Sequence, residues 1–171
     1  MRKILLTLVC CLVVSATPVG AQPSKPGPEH EMLKKFEGNW DATVSFGGQE
    51  AKGQSVYKVG FGGLWLTQQF VGDMGGMKFE GRGTTGYDTA KKKYVGVWID
   101  SMSNGIALME GEFSKDGKTY TETGEGPGPD GKPMKMKNVC EFKDNDTILF
   151  TMYNVNDGKD QEMMKITYKK K

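Results

Sequence analysis

Residues Met32–Phe46, MLKKFEGNWDATVSF, contain the change of pattern on which the fold depends. The first part carries an apolar helical face made by Met32, Leu33 and Phe36. The period then becomes two, and one side of an extended strand is formed by Trp40, Ala42, Val44 and Phe46. We therefore predict a short helical turn that begins near Pro28 and ends at Gly38, followed by a half-buried β-strand.

The N-terminus has the pattern of a secretory signal peptide. A basic start, Met1-Arg2-Lys3, precedes an apolar run that is shorter than the ~20 residues of a membrane-spanning helix. We predict cleavage after Ala21, a flexible lead at residues 22–28, one domain at residues 29–171, and a secreted or periplasmic protein with no stable membrane anchor. The alternatives are an uncleaved anchor and a lipoprotein attached at Cys10 or Cys11.

Composition limits the partners and the class of fold. The chain has 23 basic and 21 acidic residues, and Arg82 is the only arginine after the signal peptide, so nothing favours nucleic-acid binding. Two of the 3 cysteines lie in the signal peptide, which leaves Cys140 without an internal disulfide partner. The 24 glycines and the scarcity of helical patterns indicate an all-β chain with many turns.

Strands and turn residues alternate along the rest of the chain. After the Gly47-Gly48 turn we predict strands at about Gln54–Val59, Leu64–Gly72, Met77–Tyr87 and Lys93–Ser101. Later turns are marked by Asn104-Gly105, Asp116-Gly117, Asp130-Gly131, Asp144-Asn145-Asp146 and Asp157-Gly158. Asn-Gly and Asp-Gly suit two-residue hairpin turns, so consecutive strands should be antiparallel neighbours.

This pattern predicts about ten strands and no helix to cover a face of the sheet. An open sheet of that size would expose two edges, and closure removes them. The predicted fold is therefore a single antiparallel up-and-down β-barrel of about ten strands with a short N-terminal helical turn. A β-sandwich is the alternative. A barrel of more than about eight strands has room inside for a cavity.

Several segments resemble the secreted bacterial family known as domain of unknown function 1579, over nearly all of the chain after the signal peptide. The resemblance is carried by Leu33–Trp40, Thr85–Asp88, Tyr94–Met102 and Met163–Tyr168. In addition, Gly38-Asn39-Trp40 is similar to the Gly-x-Trp opening of the calycins, which include lipocalins, fatty-acid-binding proteins and nitrobindin-like barrels. The resemblance implies a calycin-like barrel in which Gly38 and Trp40 close one end, and it assigns no activity. Nitrobindin-like barrels hold haem through a histidine on a late strand, whereas the sole histidine here, His30, precedes the barrel, so we expect no cofactor.

Polar groups among aromatic and methionine side chains indicate where a ligand would lie. The candidate cavity residues are Tyr94, Trp98, Asp100, Asn138, Cys140 and Arg82. In the alternative interpretation these groups satisfy one another or a buried water, Cys140 is inert, and Arg82 is a solvated residue of the outer wall. His30 is expected at the surface.

No catalytic or metal-binding motif is recognisable in the sequence. We therefore expect a non-catalytic barrel that binds a small apolar or amphipathic molecule in its interior. The alternative is a structural or protein-interaction module of the cell envelope with a filled barrel and an exposed apolar patch.

Overall fold

The computed structural model describes residues 24–171; the predicted signal peptide and its cleavage site lie outside this range. Helix α1 (Pro28–Leu33) continues into a 3₁₀ turn at Lys34–Phe36. Ten strands follow: β1 (Gly38–Phe46), β2 (Gln49–Gly60), β3 (Trp65–Asp73), β4 (Lys78–Asp88), β5 (Lys93–Asp100), β6 (Ala107–Phe113), β7 (Thr119–Pro127), β8 (Pro133–Phe142), β9 (Thr147–Asn156) and β10 (Lys159–Lys170). A second 3₁₀ turn joins β2 to β3 at Phe61–Gly63.

The ten strands form a closed antiparallel barrel, which confirms the predicted fold class. Each strand pairs with its neighbours in sequence, and β1 pairs with both β2 and β10. Val44, for example, lies opposite Ala51 on one side and Ile166 on the other. This first strand therefore closes the cylinder and leaves no sheet edge unpaired.

Two connections are two-residue turns of the kind that glycine favours. Gly47 and Gly48 have φ of 56° and 78°, and Asp157 and Gly158 have φ of 49° and 74°. Positive φ at both positions matches the right-handed twist of a hairpin. Because the first turn is so short, β2 begins at Gln49, and the predicted start at Gln54 was wrong; the other three predicted strands agree to within one residue at each end.

The remaining predicted turns are longer than two residues. They lie in loops of four to six residues, and in three of them an aspartate carboxylate accepts the backbone N–H two residues further on: Asp116, Asp130 and Asp144. Such Asx turns need a different backbone path from a two-residue hairpin. Asn104-Gly105 also lies within a six-residue loop, at 101–106.

The N-terminal segment covers one end of the barrel, which we call the closed end. Leu33, Phe36 and Trp40 are all buried, and the 3₁₀ turn ends at Phe36 rather than at Gly38. Gly38 is instead the first residue of β1, with a φ of 140° that favours glycine, and a Cβ there would lie 2.9 Å from Cε of Lys170. Phe36 packs among aromatic rings contributed by Tyr57, Phe113, Tyr120 and Phe142.

His30 belongs to this covering segment. It is buried, its Nδ1 accepts a 2.9 Å hydrogen bond from the backbone N–H of Gly27, and its ring meets Tyr87 edge-on. The expectation of a surface histidine was wrong, because helix α1 lies against the barrel end with His30 on its inner side. Tyr94 anchors the same helix by donating a 2.7 Å hydrogen bond from its hydroxyl to the carbonyl oxygen of Glu29.

The core has two parts. The larger cluster fills the closed end and extends along β1 to β4 to Val44, Phe70 and Phe79 in the opposite half. The smaller cluster consists of Ala107, Met109 and Met136, with Trp98, Met134 and Met152 packed against it. β1 begins at the closed end, so the Gly47-Gly48 turn that follows it lies at the opposite end of the barrel. The second cluster lies in the half next to that opposite end. No helix within residues 24–171 has the length and apolar character needed to span a bilayer.

Candidate functional site

The candidate site is the inner side of β5 to β9 in the half opposite the closed end, which we call the chamber. Its walls are formed by Trp98, Met109, Glu122, Met136, Asn138, Met152 and Asn154. Trp98, Glu122, Asn138, Met152 and Asn154 face inward but remain partly exposed. In contrast, Tyr94 and Tyr120, nearer the closed end, are each only 5% exposed. Because the side chains of the first group face inward, their accessible surface lies on the inner side of the barrel wall.

Trp98 is held against the inner wall. A Cβ on Gly81 would lie 2.1 Å from the Trp98 ring, and one on Gly83 would lie 3.1 Å from it, so the indole occupies the space that these glycines leave on β4. Its Nε1 donates a 3.0 Å hydrogen bond to Oδ2 of Asp100. The other carboxylate oxygen of Asp100 accepts from the backbone N–H of Met102 at 2.9 Å. The polar atoms of this wall are thus satisfied, and Trp98 contributes aromatic surface to the chamber.

Glu122 is the ionisable group at the centre of the polar wall. It lies opposite Asn138 in the β7–β8 ladder, and Nδ2 of Asn138 donates a 2.9 Å hydrogen bond to its Oε1. The Tyr120 hydroxyl donates to Oε2 at 3.1 Å. Burial raises the pKa of Glu122, although both hydrogen bonds act in the opposite direction. Among the described residues, Glu122 forms no salt bridge that would offset its desolvation.

Two amide oxygens on the strands that follow Glu122 lack a partner within residues 24–171. These are Oδ1 of Asn138 and Oδ1 of Asn154, both buried. Asn138 faces Met152 across the β8–β9 ladder, and Asn154 is the next inward-facing residue on β9 after Met152. A buried acceptor without a donor costs about 1–3 kcal/mol. This wall therefore presents acceptors that a donor-bearing guest or water would satisfy.

The predicted cavity residues divide into three groups. Trp98 and Asn138 lie in the chamber, and Asp100 accepts the indole hydrogen bond of Trp98 at the end of β5. Tyr94 and Cys140 lie in the larger core cluster, where burial raises the pKa of Tyr94 to about 12 and raises that of the Cys140 thiol.

Arg82 is exposed on the outer wall, and the prediction that it lines the cavity was wrong. The inward positions beside it are Gly81 and Gly83, so strand alternation directs Arg82 outward.

Sequence reasoning missed Glu122 and Asn154. Both extend an alternation that was visible in the sequence: Glu122 follows the aromatic Tyr120 by two residues, and Asn154 follows Met152 by two. Each polar side chain therefore points to the same inner face of the barrel as the apolar side chain two residues earlier on its strand.

The outer surface of the barrel carries open grooves. One groove runs across β1 to β4 and is lined by side chains of both charges, including Asp41, Lys52, Asp73 and Lys78. Another borders helix α1 near Met32 and Lys115. The described residues contain no group of three or more His, Cys, Asp or Glu side chains suited to a metal ion. The buried amide oxygens of Asn138 and Asn154, which lack a partner among residues 24–171, make the chamber the stronger candidate for ligand binding.

Comparison with solved structures supports the fold. Rv2717c from M. tuberculosis is similar with a TM-score of 0.57 and 13% identity, over 85% of this chain and 98% of that chain. A redesigned β-barrel matches with a TM-score of 0.46 and 15% identity, over 86% and 99% of the two chains. EF1p2_mFAP2b bound to DFHBI matches with a TM-score of 0.48 and 12% identity, over 84% and 99%. At these identities the first likeness shows the fold alone, and the other two fall below a TM-score of 0.5.

A search among curated proteins gave no match. Residues 25–170, in contrast, match a family described as protein of unknown function, DUF1579. The match covers almost all of the described chain, including the closed end and the chamber. The chain therefore belongs to the DUF1579 family.

Proposed function

We propose that the protein is a non-catalytic binding barrel that takes a small apolar or amphipathic molecule into the chamber. The single observation that carries the proposal is the pair of unpartnered, buried amide oxygens of Asn138 and Asn154 beside partly exposed, inward-facing apolar side chains. Apolar walls with a few convergent polar groups are typical of small-molecule sites. The predicted signal peptide supports a secreted or periplasmic location for this binding.

The chemistry of the chamber favours binding over catalysis. Glu122 is its central ionisable group, and its hydrogen-bond partners are Asn138 and Tyr120. Burial raises the pKa of Tyr120 and of Cys140, so both groups are neutral at ordinary pH. These side chains therefore do not form a general base with a nearby nucleophile, which is the usual basis of hydrolytic catalysis.

Uptake of N-phenyl-1-naphthylamine, whose fluorescence increases in apolar surroundings, tests the proposal. We expect saturable binding that is strongly reduced by Met152→Trp, because the larger ring fills the chamber. Val56→Trp is the matched control, since Val56 is 45% exposed on the outer wall. Saturable binding that Met152→Trp leaves unchanged, or no binding by the folded wild type, would contradict the proposal.

A second candidate function is protein interaction through the outer wall. Exposed apolar side chains cluster on β5, β6 and the loop between them: Val97, Ile99, Ile106 and Leu108. Val97 and Leu108 are direct neighbours in the β5–β6 ladder. This function would be favoured if the folded wild type bound no probe and Leu108→Lys abolished self-association or capture of a defined partner.

A further inference from the structure

We propose that the chamber selects a protonated amine carried on an apolar body, with Glu122, Asn138 and Asn154 receiving the ammonium group. The inference rests on the proposed binding function and deepens it by naming the head group of the ligand. It follows from the kind of polar atoms on the chamber wall, from the absence of a positive charge beside them, and from the apolar surfaces around them.

The polar wall is rich in acceptors. Nδ2 of Asn138 donates to Glu122, which fixes the orientation of that amide and leaves its oxygen free. The Glu122 carboxyl and the oxygen of Asn154 add further acceptor positions on the two adjacent strands. A primary ammonium has three N–H donors and no acceptor, which is the complement of this wall. On β2 and β3, by contrast, Ser55 and Gln68 already bond to each other.

The protein supplies no positive charge to this wall from its described residues. Lysine and arginine side chains in residues 24–171 are exposed, apart from Lys137 and Lys165, which are half-buried. These two lie on outward-facing positions of their strands and pair with Asp160 and Glu162. An amine ligand would therefore provide the missing counter-charge of Glu122. A carboxylate or phosphate head group would instead meet a carboxyl group and two carbonyl oxygens, so the wall opposes anionic ligands.

The apolar walls suit the rest of such a ligand. Trp98 presents its ring to the chamber, and an aromatic face attracts a cation. Met109, Met136 and Met152 add flexible thioether side chains that adapt to an aliphatic or aromatic body. The chamber thus combines a cation-receiving wall with apolar surface.

Proton balance offers a second, independent signature. Burial raises the pKa of Glu122, so its carboxyl group in the empty protein keeps its proton to a higher pH than a glutamate in water. A bound ammonium favours the carboxylate, so the carboxyl proton leaves to solvent as the amine enters. Binding of a cationic amine should therefore release protons at a pH where empty Glu122 retains its proton, whereas binding of a neutral alcohol should not.

The test compares three probes that share one eight-carbon chain: octylamine, octanol and octanoic acid. Each competes with N-phenyl-1-naphthylamine for the full-length folded protein, and calorimetry in two buffers of different ionisation enthalpy measures proton release. We expect octylamine to compete at least about tenfold better than either of the others. Glu122→Gln should remove the preference and the proton release but retain uptake of N-phenyl-1-naphthylamine. Glu125→Gln, an exposed change on the same strand, is the matched control.

Asn154→Leu provides a second variant if Glu122→Gln does not fold, and it should reduce the amine preference several-fold. Equal competition by the three compounds, or stronger competition by octanoic acid, would overturn the inference while the binding function stands. A preference for octylamine that survives both substitutions would also overturn it. If the folded wild type takes up no N-phenyl-1-naphthylamine, the proposed function fails as well.

Discussion

The indole Nε1 of Trp40 donates a 2.8 Å hydrogen bond to the carbonyl oxygen of Phe36, four residues earlier in the chain. Phe36 ends the 3₁₀ turn and Trp40 lies near the start of β1, so this bond joins the covering segment to the barrel it closes. Both residues are buried. The closed end is therefore a packed aromatic floor, and the chamber lies in the opposite half of the barrel.

Trp40→Phe should destabilise the protein by about 1–3 kcal/mol. The substitution preserves an aromatic ring but removes the donor, which leaves the buried carbonyl oxygen of Phe36 without its partner. Urea denaturation followed by circular dichroism measures the change in free energy of unfolding. Trp65→Phe is the control, since Trp65 is 38% exposed. Equal effects of the two substitutions would contradict the closing role of Trp40.

The sequence predicted the barrel because alternation and turn residues are local signals. Its errors arose where those signals were weak. Residues 49–53, QEAKG, lack large apolar side chains at alternate positions, so the first half of β2 was not recognised. His30 was placed at the surface because a six-residue helix does not reveal from its own sequence which face the barrel will cover.

The candidate site was predictable only in part. Trp98, Asp100 and Asn138 follow from strand alternation, whereas the opposition of Glu122 and Asn138 depends on the register between β7 and β8. Register is a property of the assembled sheet, and a slip of one residue would reverse both faces of a strand. Arg82 was named both as a cavity residue and as a solvated residue of the outer wall, because the inward-facing residues next to it are glycines, which give no apolar signal of the inner face.

Gly81→Ala should destabilise the barrel and weaken probe uptake. The new Cβ would overlap the Trp98 ring, so the indole must move from the wall into the chamber. Overpacking of this kind typically costs about 1–3 kcal/mol. Gly60→Ala is the matched control, because its Cβ would have no atom within 4 Å. Thermal unfolding and N-phenyl-1-naphthylamine titration measure the two effects, and identical behaviour of the two variants would refute the seating of Trp98.

Glu122 should make the empty protein less stable as pH rises. Its pKa is raised by burial, so the native state retains a proton over a pH range in which the unfolded chain has lost it. The stabilisation is complete below the ordinary glutamate pKa of about 4.3 and is lost as pH rises through the native value. Tyr120 and Cys140, which lie near the carboxyl, have raised pKa values and remain neutral over this range.

Glu122→Gln isolates this dependence. Unfolding free energies of wild type and variant, measured from about pH 4 to pH 8, should diverge with rising pH in favour of the variant. Aspartate and glutamate side chains elsewhere contribute to both proteins and cancel in the difference. A difference that is independent of pH, or that grows as pH falls, would show that Glu122 is not held in its neutral form.

Cys140 should react with a thiol reagent only when the barrel unfolds. The thiolate is the reactive form, and burial both raises the pKa of Cys140 and denies the reagent access. Modification by 5,5′-dithiobis(2-nitrobenzoic acid), with the site confirmed by peptide mass spectrometry, should be slow in buffer and fast in guanidinium chloride. Rapid stoichiometric modification of the native protein would place Cys140 in an accessible pocket.

The most direct measurement of binding within the chamber is a methyl NMR titration of protein labelled with ¹³C at its methionine methyl groups. N-phenyl-1-naphthylamine should shift the signals of Met109, Met136 and Met152, which pack in the chamber, and leave that of Met32, at the closed end, unchanged. Single Met→Leu variants assign the signals. Saturable binding with shifts confined to Met32 or to exposed Met77 and Met102 would contradict the account.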